Sequence, residues 1–277
     1  MSTEKIAVMG DSHVNFFGGS EYLSFKIFSR DIHGINAGGG VNTCSNLIEN
    51  FRTFHLGPAL AFNMNKYNTS THAREKADFL LQHRIIPKHQ PVMCTLGEID
   101  CRVHVLRHAE NHGGDFRPVI DEVAAHYLEF LRYVARAHPV YVWGAVPTQK
   151  DNSPVNPDFP YYGTEVRRNL ATEYFNQTMK ALCDANGFTH ISIFSHLIDE
   201  NYRTKSEYIA DGCHLSQKAW EFAREEFRKH GIDVTFRKGW PDTSHHKPKG
   251  RIARKFTTAM AILRYHSAKI FSCIRRE

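Results

Sequence analysis

Apolar and polar positions fall into blocks along the chain. Ile6-Ala7-Val8-Met9 is an unbroken apolar run, and residues 5–9 read as a buried strand. Residues 32–36, Ile-His-Gly-Ile-Asn, read as a second strand that ends at Gly38-Gly39-Gly40. A short polar helix is expected from Asn42 to Asn50. Residues 92–96, Val-Met-Cys-Thr-Leu, read as a third strand. Apolar residues at 119, 120, 123, 127, 130, 131 and 134 give the stretch 117–137 a helical period. Pro139 follows, then Val140-Tyr141-Val142-Trp143 as a fourth strand. A loop rich in Pro and Asn, 147–163, leads into a helix over 164–185 that closes at Asn186-Gly187. Residues 189–194 supply a fifth strand, and a last body helix runs over 216–230 to Gly231.

Strands alternating with helices predict an α/β fold: a three-layer α/β/α sandwich around a mostly parallel five-stranded sheet. Ligands on such sheets bind beyond the carboxyl ends of the strands. The body is expected to span 1–231. Residues 232–250, with Lys238-Gly239-Trp240-Pro241 and Lys247-Pro248-Lys249-Gly250, read as a linker. Residues 251–277 form a separate tail. There Ile252, Phe256, Met260, Leu263, Ile270 and Ile274 recur on one helical face, and Arg251, Arg254, Arg264, Lys269 and Arg275 lie off it.

Charge sharpens this division. The chain carries 35 Lys/Arg against 29 Asp/Glu, a net +6. Seven of the basic residues and one acid lie from Arg251 onward, so 1–250 is balanced at 28 of each. A neutral body argues against a nucleic-acid-binding domain, which needs a basic face. No apolar stretch reaches the length of a membrane span or of a secretory leader. The six cysteines (44, 94, 101, 183, 213, 273) form no Cys-x-x-Cys pair. A reduced, cytoplasmic chain is expected.

Two short motifs carry the candidate chemistry. Gly10-Asp11-Ser12-His13 follows the first strand, and Asp211-Gly212-Cys213-His214 precedes the last helix. A serine in a sharp turn after a strand has an exposed hydroxyl and an N–H placed for an oxyanion. Asp and His three residues apart across a turn let the carboxylate hold one ring nitrogen while the other faces outward. Together Ser12, His214 and Asp211 are the set needed for nucleophilic acyl chemistry. Each motif also has a plainer reading, with Asp11, Ser12 or Asp211 as helix N-caps. Other templates fail. Val14 breaks the Gly-x-Ser-x-Gly elbow. Gly38-x-Gly40 lacks the third glycine of a dinucleotide fingerprint, with Thr43 in its place. No metal motif is present, and no cofactor is implied.

Chain order links the motifs: Gly-Asp-Ser after the first strand, a glycine loop after the second, Gly97-Glu98-Ile99-Asp100 after the third, and Asp-x-x-His at the end. In this the chain resembles the SGNH (GDSL-type) hydrolase superfamily over about residues 5–230. The resemblance implies Ser12 as nucleophile, His214 as base, Asp211 as its partner and Gly40, or else Gly39, as an oxyanion N–H beside that of Ser12. The family has Gly-x-Asn-Asp in its third block, and Ile99 stands where its asparagine donates to the oxyanion. Losing one such donor costs about 3–4 kcal/mol of transition-state stabilisation. Arg102 is the candidate replacement, and an ion pair with Glu98 or Asp100 is the competing role for it. Asp11, His13, Glu98 and Asp100 flank these positions and are the polar groups expected to meet substrate. His55-Leu56-Gly57-Pro58 and the Gly-Glu-Ile-Asp-Cys-Arg run resemble a branch of the superfamily found beside bacterial polysaccharide genes.

The resemblance implies a serine-dependent esterase or O-acyltransferase acting on an acylated sugar or glycan through an acyl-serine. A weakly catalytic or inactive sugar-binding module and a lipid esterase or thioesterase are the alternatives. The basic tail fits an anionic membrane surface, at the inner membrane face. It fits equally a helix docked on the body or on a protein partner. Pelleting with anionic liposomes by the full chain, lost when 251–277 is removed, is the outcome expected for membrane binding. Equal pelleting of the two chains contradicts it.

Overall fold

Each central strand of the sheet is buried on both faces, which is why the apolar runs are continuous rather than alternating. The computed structural model describes residues 5–23, 26–27 (backbone only), 41–148, 150–151 and 159–244. Among these residues the strands are β1 (Ile6–Gly10), β2 (Lys26–Ile27), β3 (Asn42–Thr43), β4 (Phe51–His55), β5 (Val92–Thr95), β6 (Val140–Trp143) and β7 (Thr189–Ile191). The helices are α1 (Asn15–Gly18), α2 (Ala73–Gln82), α3 (Leu106–Ala109), α4 (Arg117–Ala135), α5 (Glu165–Asn186) and α6 (Trp220–Lys229).

The sheet order is β2-β3-β4-β1-β5-β6-β7. The five strands β4, β1, β5, β6 and β7 run parallel, in a doubly wound order that places β1 between β4 and β5. The expected five-stranded parallel sheet is thus present, extended at one edge by two antiparallel strands of two residues each.

Side chains alternate between the two faces of every strand. Ala7, Met9, Val92, Cys94, Val140 and Val142 join one core, which also takes the apolar faces of α2, α4 and α5. Ile6, Val8, Phe51, Met93, Trp143 and Ile191 join the other, with α1 and α6. Two cores with one sheet between them make the three layers. No helix among the described residues is long and apolar enough to cross a membrane.

Two expectations are corrected, and two elements are added. Residues 42–50 are not a helix. Asn42–Thr43 is a short antiparallel strand between β2 and β4, and the Cys44 N–H donates to Thr53 Oγ1 at 3.0 Å, so this backbone is satisfied by its neighbours. The second parallel strand is Phe51–His55, and α2 was not expected at all. Residues 232–244 are not a linker. Glu49 N–H donates to Thr235 O, Arg237 N–H to Leu47 O and Asp242 N–H to Gly19 O. Trp240 lies 4.0 Å from Phe236, ring centre to ring centre, and its Nε1 donates to Gln217 Oε1. Val234, Phe236 and Trp240 carry apolar surface that the second core buries, so the body extends to residue 244.

The strand expected over 32–36, the glycines 38–40 and the residues 245–277, with the basic tail, lie outside the described residues.

One contact fixes how the site is built. A Cβ on Gly10 would fall 2.1 Å from the Thr95 carbonyl oxygen. Only glycine lets the carboxyl ends of β1 and β5 approach this closely, and the chain turns into Ser12 at that point.

Candidate active site

Asp11 follows β1 and ends it. Its Oδ1 accepts the His13 N–H at 2.9 Å, and a single 3₁₀ turn over Ser12–Val14 leads into α1. The capping role for Asp11 is therefore real. It leaves Ser12, half-buried, with its side chain free of the cap.

Residues 210–214 form a tight loop. Ala210 N–H donates to His214 O, and Gly212 takes a positive φ of 105°. The loop folds Asp211 back onto its own histidine. Asp211 Oδ1 accepts the His214 N–H at 3.1 Å, and both its oxygens lie 2.8 and 2.9 Å from His214 Nδ1. The cap ahead of α6 is Ser216, which accepts from Lys218 N–H, so Asp211 is not a helix cap.

His214 Nε2 then lies 2.6 Å from Ser12 Oγ. Burial pushes the Asp211 carboxyl up, but bonds and charge from His214 outweigh it and hold it at about 2. An ionised carboxylate can only accept, so Nδ1 carries the proton. Nε2 is left with its lone pair toward the serine hydroxyl. Ser12, His214 and Asp211 are thus brought together in a geometry able to pull a proton from Ser12 Oγ.

Cys213 Sγ lies 3.4 Å from His214 Nδ1. Burial raises its thiol far above the ordinary value, so it stays neutral and is a poor nucleophile. The donor atoms of Asp211, Cys213 and His214 lie within 4.8 Å of one another, the one such group among the described residues. With Nδ1 already committed to Asp211, the set reads as a hydrogen-bonded pair beside a thiol.

Behind the triad lies a buried ionic chain. His13 Nε2 is 3.2 Å from Glu98 Oε2, and Arg102 Nε donates to Glu98 Oε1 at 2.7 Å. Arg102 Nη1 donates to the Pro160 carbonyl. The adjacent Phe159 ring meets the His214 ring edge-on at 5.2 Å, and the His13 ring lies 5.1 Å from it on a tilt. Burial opposes charge on Glu98, yet Arg102 and His13 hold it at about 2. Burial also opposes charge on His13, and Asp11 and Glu98 raise it nonetheless.

The structure revises the expected roles here. Asp11, His13, Glu98 and Asp100 are all at most 6% exposed, so they are not open to substrate. Asp100 accepts the N–H groups of Ala61 at 2.8 Å and Phe62 at 3.3 Å, which anchors the turn after β4. Arg102 spends Nε and Nη1 on Glu98 and Pro160, so the ion pair, not an oxyanion contact, is its observed role. Gly40 lies outside the described residues. Ile99 is half-buried at the start of a π-helical turn over Asp100–Val105. Phe159, Pro160 and Thr95 were not anticipated. Their places depend on contacts between distant segments, and nothing local in the sequence marks them.

No protein-family model matches the chain, and no curated protein does. Solved structures do. A candidate acylhydrolase from Bacteroides fragilis is 13% identical, with 82% of this chain and 86% of that one covered and a TM-score of 0.48. A GDSL-like lipase from Bacteroides thetaiotaomicron is 14% identical, with 82% and 87% covered and a TM-score of 0.44. The aryl esterase of M. smegmatis is 17% identical, with 82% and 99% covered and a TM-score of 0.43. Likenesses at this level carry no weight for the activity of this chain, which rests on its own geometry.

Asp100 makes the electrostatics testable. Its ordinary value is 3.8, and in the fold burial raises it to about 7 despite the two N–H bonds. A carboxyl raised on folding adds stability that is whole below pH ~4 and is lost as pH climbs through 7. Urea unfolding at pH 4.5 and pH 8 should show wild type losing on the order of 2 kcal/mol more than Asp100→Asn. Parallel pH dependence of the two chains contradicts this assignment.

Proposed function

We propose that this chain is a serine-dependent carboxylic-ester hydrolase of the SGNH type. The observation that carries the reading is the contact of His214 Nε2 with Ser12 Oγ at 2.6 Å while Asp211 holds Nδ1 at 2.8 Å. Ser12 Oγ attacks the ester carbonyl as His214 Nε2 takes its proton, and ionised Asp211 steadies the imidazolium. The Ser12 N–H faces the oxyanion, and the resemblance to the SGNH pattern adds the Gly40 N–H as its second donor. The carbonyl then re-forms, the alcohol leaves with the proton from His214, and an acyl-Ser12 remains. An incoming hydroxyl gives its proton to His214 as it attacks the acyl carbonyl, and His214 returns that proton to Ser12 Oγ as the acyl group departs.

Water as acceptor makes the chain a hydrolase, and a sugar hydroxyl makes it an O-acyltransferase. The resemblance of the Gly-Glu-Ile-Asp-Cys-Arg run to polysaccharide-associated members supports an acylated sugar or glycan as substrate. A second reading, a sugar-binding module of the same fold, is favoured by one observation: Ile99 has no side-chain donor for the oxyanion.

Hydrolysis of p-nitrophenyl acetate separates the two. Wild type should turn it over, and Ser12→Ala and His214→Ala should each lose about a thousandfold or more in kcat. Undiminished turnover in either variant contradicts the mechanism. A folded wild type with no turnover on acyl-sugar and aryl esters favours the binding module.

A further inference from the structure

Behind the Ser12 turn lies a small cavity lined by Asp11, His13, Thr95 and Glu98, and closed on its apolar side by Trp143 and Val146. It has room for about one water molecule. Asp11 Oδ2, His13 Nδ1 and Thr95 Oγ1 are buried and have no hydrogen-bond partner in the protein. Their residues are 0%, 6% and 2% exposed. Leaving three polar atoms unpartnered in one place is costly, and native folds rarely do so. Glu98 Oε2 has the His13 contact at 3.2 Å.

We propose that this cavity binds one ordered water molecule, which joins Asp11 Oδ2, His13 Nδ1 and Thr95 Oγ1 and thereby fixes the two residues that flank Ser12.

The valences fit. Asp11 Oδ2 can only accept when ionised. His13 Nε2–H faces Glu98, so in the neutral ring Nδ1 accepts as well. The Thr95 hydroxyl can donate. One water donates two protons and accepts one, making the three bonds typical of a buried water. If the ring is charged, the water accepts from Nδ1–H and still donates to Asp11. A metal ion fits less well, because Thr95 offers only a neutral hydroxyl and the Glu98 carboxylate is already engaged by His13 and Arg102.

The placement gives the water a consequence. Thr95 Oγ1 packs over Gly10, and a Cβ there would lie 2.3 Å from it. The bridge therefore links the carboxyl ends of β5 and β1 at the residue before the nucleophile turn. Asp11, His13 and Thr95 act through Ser12 as positioning residues. Small errors in the placement of a nucleophile reduce turnover more than binding.

The kinetic arm of the test rests on the ester-hydrolase reading, and the structural arm does not. A high-resolution crystal structure of the full chain should show one density peak within hydrogen-bond distance of all three atoms. It should be missing in Thr95→Val. With p-nitrophenyl acetate, Thr95→Val should lower kcat roughly tenfold or more at unchanged KM, and Thr95→Ser should keep near-wild-type turnover. An empty cavity in wild type overturns the water site. Wild-type kcat in Thr95→Val, or a loss in Thr95→Ser equal to that in Thr95→Val, overturns the positioning role. A wild type that cleaves no ester defeats the ester-hydrolase reading, while the density in wild type and Thr95→Val still decides the water site.

Discussion

The hydrogen bond between Ser12 Oγ and His214 Nε2 joins positions 202 residues apart, and the fold is arranged so that it can form. One end sits on a turn at the carboxyl edge of the sheet, next to the place where strand order reverses. The other sits in a loop held by Asp211 and opened by the positive φ of Gly212. Neither end needs an unusual residue. What is demanding is the approach of β1 to β5 at Gly10, where any side chain would strike the Thr95 carbonyl. That contact sets where Ser12 emerges, and the two cores on either face of the sheet hold it there.

Buried charge shows which groups are built to stay ionised. Glu98 and Asp100 are both 2% exposed, yet one is held at about 2 and the other is raised to about 7. The difference lies in their partners. Glu98 lies between Arg102 and His13, and the Arg102 charge with the His13 contact repays the loss of hydration. Asp100 has two backbone N–H groups and no cation among its bonds, and its burial prevails. Breaking a buried ion pair leaves an unpaired charge, which is far worse than never having buried it. The chain from His13 through Glu98 and Arg102 to Pro160 is therefore a rigid support for the two rings, His13 and Phe159, that pack on His214.

Much of this was legible in the sequence. The apolar runs at 6–9, 92–96 and 140–143 located three strands of the parallel sheet, and the period of 117–137 located α4. The Ser12, Asp211 and His214 set followed from motif order and strand-end placement. β4 escaped because Phe51-Arg52-Thr53-Phe54-His55 mixes charge with aromatics and buries its phenylalanines on opposite faces. α2 escaped although Ala73, Ala77 and Leu80 carry its spacing, since its remaining positions are largely polar. The roles of Glu98, Asp100 and Arg102 were misjudged for a different reason. Charged residues beside a motif look like substrate contacts, and only packing between distant segments shows that they are buried. Trp240 misled in the same way, because its glycine and proline neighbours read as a linker while its ring belongs to the second core.

Activation of Ser12 as a nucleophile by His214 can be read by treating the folded chain with a fluorophosphonate and mapping the adduct by mass spectrometry. A single adduct on Ser12 is expected, formed rapidly in wild type and strongly slowed in His214→Ala, because the hydroxyl then has no base. An unmodified Ser12 in a folded chain, or labelling at the same rate without His214, would contradict it.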